Sequence, residues 1–158
     1  MDESREARNR AGAGWVRRRF VRHSAGSVSG WLRQAERSGR PPQEIVSAMC
    51  AHPFLVAGTG RFGTALGRAA GQRVFGKTGA EGVFAVGATD GSFGIAVKVE
   101  DGGQRTTPVA VLHVLDRLGV LDGIESESLN AFRRPNVMNT LSEDVGAIRA
   151  DFHLERPA

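Results

Sequence analysis

Residues 74–99, VFGKTGAEGVFAVGATDGSFGIAVKV, decide the fold. Three runs within them, Val74-Phe75, Val83-Phe84-Ala85-Val86 and Phe93 to Val99, are rich in β-branched and aromatic residues, which suit a pleated, half-buried surface. The connectors between them are Gly79-Ala80-Glu81-Gly82 and Thr89-Asp90-Gly91-Ser92. Both are short, and Asp-Gly is a strong hairpin signal because its residues tolerate positive φ. The spacing predicts an antiparallel meander of three strands. Glu100-Asp101-Gly102-Gly103 closes it, and Thr107-Pro108 then opens a helix. Val111, Val114, Leu115 and Leu118 share one face of that helix, Gly119 stops it, and the apolar face is expected to lie on the sheet. Upstream, Pro42 with Glu44 close behind starts a helix that ends near His52-Pro53, and a second short helix covers Thr64 to Ala70. Downstream, Val145 to Ile148 reads as one more strand. The expected fold class is α+β, with a three- to four-stranded antiparallel sheet against two or three helices.

At 158 residues the chain is about one domain. Its 41% hydrophobic content and 21 glycines, set in no collagen-like period, describe a globular chain with many turns. No apolar run approaches the roughly 18 residues of a membrane span, and the arginine-rich start lacks the apolar core of a secretory leader, so a cytoplasmic protein is expected. A single cysteine, Cys50, excludes an internal disulfide and a thiol-rich zinc site.

The net charge of +4 is unevenly spread. Residues 1–40 hold ten arginines against four acids, so a basic arm of +6 precedes a body of −2. Such an arm is either a solvated tail or a surface for an acidic partner or nucleic acid, bound with salt-sensitive affinity. Trp15, Phe20 and Trp31 fall into no recognised binding module, which leaves nucleic-acid binding the lesser alternative. The expected organisation is an irregular arm over 1–40, a folded domain over 41–150 and a tail over 151–158.

Two chemistries compete for the centre of the chain. Gly71 to Thr78 fits the phosphate-loop pattern G-x-x-x-x-G-K-[ST], but such a loop follows a buried strand and opens a helix. Here helix signals precede it, a turn and strand follow it, and Val74-Phe75 would place a strand inside it. The alternative is Lys77-Thr78-Gly79 at the end of a strand, where a Lys-Thr-Gly triplet sets an ammonium and a hydroxyl beside an acyl-transfer centre, as in serine β-lactamases. The chain contains two lysines and nineteen arginines. Lysine sheds its proton on desolvation and arginine does not, so a lysine set between glycines points to chemistry.

His52-Pro53, Val56 to Phe62, Val74 to Val83, Gly94 to Gly102 and Leu118 to Leu121, taken in order, resemble the C-terminal part of the bacterial L-asparaginase II family, the Rhizobium-type enzymes. The resemblance spans about residues 41–150. It implies a fold similar to serine β-lactamases and hydrolysis of L-asparagine to aspartate and ammonia; no cofactor is expected for this chain. Carried over residue by residue, it makes Lys77 the catalytic amine beside the nucleophile. It makes Thr78, Gly79 and Glu81 the substrate-binding wall, with Glu81 toward the substrate amine. Arg61, Lys98, Asp101 and Arg105 become supporting residues.

The family also relies on Ser-x-x-Lys pairs and an upstream Cys-x-x-Lys zinc motif. No serine of this chain stands three residues before Lys77 or Lys98, and Cys50 is followed by Ala51-His52-Pro53. The chain therefore reads as a truncated homologue. The partners expected are L-asparagine and, through a strand edge left open, further copies of the chain as a homo-oligomer, with no membrane contact.

Overall fold

The computed structural model describes residues 42–154. The arm over residues 1–40 lies outside them. Helix α1 (Pro42–Ala51) begins at the expected proline, with Glu44 in its first turn. After His52 the chain makes a second, five-residue helix, α2 (Pro53–Ala57), and then α3 (Phe62–Ala69). The meander follows as β1 (Val74–Gly79), β2 (Val83–Ala88) and β3 (Gly94–Lys98), in the order β1-β2-β3 with both pairs antiparallel. Helix α4 (Thr107–Arg117), the short α5 (Glu127–Asn130) and a two-stranded sheet of β4 (Asn136–Met138) and β5 (Asp144–Ala147) complete the described chain.

Register explains which side of the main sheet is buried. Val74, Ala88, Val86, Phe84 and Val97 alternate onto one face, and all five are buried. Leu66 and Phe62 of α3 and Val111, Leu112 and Leu115 of α4 join Val74, Phe84, Val86 and Val97 in one core, which also takes in Leu121 and Leu129. The Phe62 ring sits 5.0 Å from that of Phe84 and 5.4 Å from that of Phe132, and so links α3 both to β2 and to the segment after α5. The opposite face carries Phe75, Lys77, Val83, Ala85, Ala96 and Lys98, and of these Lys77, Ala85 and Lys98 are exposed.

One expectation is corrected. Leu118 does not share the buried face of α4. The helix ends at Arg117, and Leu118, half exposed at 48%, is the residue that caps it. The strand expected at 145–148 is present as Asp144–Ala147; it pairs with β4, and the main sheet has three strands, within the three to four expected. No helix among the described residues is long and apolar enough to cross a membrane.

Candidate functional site

The phosphate-loop reading fails on its context. Gly76, Lys77 and Thr78 are strand residues, and the chain after them turns back into β2 instead of entering a helix. A Cβ on Gly76 would come within 2.8 Å of the Phe84 ring, so its open side faces the core instead of a phosphate. Arg73, in the same pattern, is committed elsewhere: its guanidinium donates to the carbonyls of Val120 (3.0 Å) and Asp122 (3.2 Å). Gly71–Thr78 therefore lacks the strand-loop-helix form of a phosphate loop.

The second reading keeps its geometry in part. Lys77 lies on β1, an edge strand, opposite Ala85, and its side chain emerges on the open sheet face. Its Nζ donates to the Thr78 carbonyl at 3.2 Å. By the period of the strand, Thr78 points to the other face, in the row of Phe84 and Val97, where it is exposed at the end of the core. Ammonium and hydroxyl are thus chain neighbours on opposite sides of β1.

The turn after β1 is held by a second loop. The Ala80 carbonyl accepts from Val83 N at 3.3 Å, and Glu81 (φ 57°) and Gly82 (φ 66°) both have the positive φ that a type I′ hairpin turn requires. Val99 N donates to the Gly82 carbonyl at 2.9 Å, and Gln104 Nε2 donates to the Gly79 carbonyl at 3.1 Å. Lys98 Nζ donates to the backbone carbonyls of Glu81 and, at 3.0 Å, of Val99. Residues 79–82 and 98–104 therefore form one unit that brings Gly79, Glu81 and Lys98 together. Lys77 stands on the same open face as Lys98, two strands away and one step along. The ordinary strand spacing makes that about 12 Å. Both lysines of the chain thus share one sheet face.

Asp101 belongs to the second loop but spends its carboxylate locally, accepting from Gly103 N at 2.8 Å. Arg61, at the N-cap of α3, and Arg105, before α4, are exposed and neither hydrogen-bonds nor pairs with this unit among the described residues. Gln104 was missed in the sequence, where a lone glutamine after Gly102-Gly103 carries no signal.

A family-type zinc does not fit the residues present. Cys50 lies half-buried on α1, burial pushes its thiol up and so disfavours the thiolate that binds metal, and no three His, Cys, Asp or Glu side chains converge among the described residues.

No curated protein matches the sequence. The family model described as L-asparaginase II matches residues 22–150, and so extends into the arm expected over 1–40. That match covers most of the 158 residues and runs through α1 to β5, the Lys77 strand and the bolted turn included, so the chain belongs to the L-asparaginase II family.

Proposed function

We infer that the chain supplies the lysine-bearing wall of a site that hydrolyses the side-chain amide of L-asparagine to aspartate and ammonia. The observation that carries the reading is the family match across the segment in which Lys77 emerges, exposed, between Gly76 and Gly79 of an edge strand. In such a site a hydroxyl oxygen attacks the amide carbon, the C–N bond breaks as the leaving nitrogen takes up a proton and departs as ammonia, and water then cleaves the resulting ester. Lys77 accepts the hydroxyl proton and passes it toward the leaving nitrogen. Gly79 and Glu81 line the substrate, with Glu81 meeting its α-ammonium; Thr78, whose side chain leaves the other face of β1, contributes the carbonyl that holds the Lys77 ammonium, Lys98 ties the turn, and Asp101 shapes the loop behind it. On this reading the face is one half of a β-lactamase-like cleft.

An amine works as a base only when neutral, which requires removing water from around it. Lys77 lies on an open face, and no serine precedes either lysine by three. The 158 residues alone are therefore expected to bind L-asparagine without hydrolysing it. The purified chain should release no ammonia above buffer, and calorimetry should show saturable L-asparagine binding that Lys77→Ala removes. Ammonia release abolished by Lys77→Ala would overturn the half-site reading. Absence of any saturable binding would overturn the asparagine reading.

A further inference from the structure

Away from the sheet, one stripe of α4 forms the floor of a small cleft. Val109, Leu112, His113 and Asp116 recur at helical spacing. Arg133 and Arg134, which follow α5, and Arg149 with Ala150, just after β5, line the rest of this open depression of about 150 Å³. Three guanidiniums face one carboxylate, so the cleft carries a formal charge of +2.

Its groups are positioned unequally. Arg133 is fixed: it pairs with Asp116, and its Nε donates to Asn130 Oδ1 at 3.1 Å. His113 Nε2 lies 3.0 Å from the Phe152 carbonyl, which only accepts, so that nitrogen carries the proton and donates; the Phe152 ring packs edge-on at 4.6 Å. Residues 151–154, read from sequence as a tail, thus fold back beside the cleft. Arg134 and Arg149 have no carboxylate in ion-pair range among the described residues, and both are exposed at its mouth.

A planar guanidinium presents a fork of donors that matches two oxygens of one anion, and several forks around a partly apolar floor select a compact, multiply charged oxyanion over chloride. We propose that this cleft binds a small doubly charged oxyanion, a phosphate or a short dicarboxylate, held by Arg134 and Arg149 against the anchored Arg133. None of these residues belongs to the Lys77 face, so the proposal stands whether or not that face binds asparagine.

The test uses the full chain with two probes, inorganic phosphate and succinate, at constant ionic strength. At least one should bind saturably and raise Tm by about 6 °C at ten times its Kd. The double variant Arg134→Gln/Arg149→Gln should weaken that binding at least tenfold. Arg117→Gln, on the last turn of α4 and not part of the cleft, should leave it unchanged. Phosphate alone, succinate alone or both distinguishes the source of the ligand. The proposal is overturned if neither probe saturates, if sodium chloride at equal ionic strength gives the same shift, or if Arg117→Gln weakens binding as much as the double variant.

Discussion

Gly82→Ala separates two costs that the structure places at one residue. Gly82 is buried and has φ +66°, a region in which a residue with a Cβ pays about 1 kcal/mol or somewhat more. The added methyl would also meet the Gly102 carbonyl carbon at 2.9 Å, Val99 Cβ at 2.9 Å and the Gly102 oxygen at 3.0 Å. Two of these are backbone atoms, and the Gly102 segment is tied by its own hydrogen bond from Gly102 N to the Val99 carbonyl, so it cannot yield without moving the loop. Overpacking of that kind adds about 2 kcal/mol. The total is about 3 kcal/mol, and for a folded unit of roughly 110 residues each kcal/mol moves Tm by about 4 °C, so Tm should fall by about 12 °C. Gly91→Ala is the matched control: φ is +75°, but nothing lies within 4 Å of the added carbon. It should cost about 1 kcal/mol, or about 4 °C. Thermal unfolding of the two variants, followed by circular dichroism, reads the difference directly. Equal losses would refute the close packing of residues 79–82 against 98–104, and with it the placement of Glu81 and Lys98.

Lys77→Ala should leave stability within about 0.5 kcal/mol of the parent in denaturant unfolding, since the side chain is exposed and, among the described residues, bonded only to the Thr78 carbonyl. Leu115→Ala, at a fully buried position of α4, should cost about 2–5 kcal/mol by the same measurement. The Arg133 and Asp116 side chains are 33% and 39% exposed, so a double-mutant cycle on the pair should give a coupling below about 1 kcal/mol that shrinks with added salt. The Asp90 carboxyl is held below the usual carboxylate range by its hydrogen bonds to the Ser92 side chain and backbone. A lowered folded-state pKa favours the fold above the unfolded pKa, and that contribution is lost as pH falls through the folded pKa. Asp90→Asn should therefore flatten the acid limb of the stability profile and leave the neutral limb parallel to the parent.

The sheet was legible because its strands announce themselves twice, by β-branched and aromatic runs and by the glycine-bearing turns between them. Helix α4 was legible for a similar reason, its long apolar face, and failed only at Leu118, where periodicity continues past the last helical residue. Helix α2 was missed because five residues, none of them buried, give no period to read. Strand β4 was missed because Asn-Val-Met is too short, and its ends too exposed, to carry an alternation. At the site, Lys77 could be picked out because lysine is scarce in an arginine-rich chain. The pairing of the Gly79–Gly82 turn with the loop that carries Gln104 depends on backbone carbonyls, which have no side-chain signature. The arginine cleft joins residues 109–116, 133–134 and 149–150, which only the folded chain brings together.

The most direct test follows backbone amide resonances of the 158-residue chain while L-asparagine is added. Binding at the Lys77 face should shift the amides of residues 77–82 and 98–104 saturably, and Lys77→Ala should abolish the shifts without altering the rest of the spectrum. Saturable shifts confined to other parts of the fold, or shifts at 77–82 that persist in Lys77→Ala, would contradict the assignment of this strand and its amine to the amide substrate.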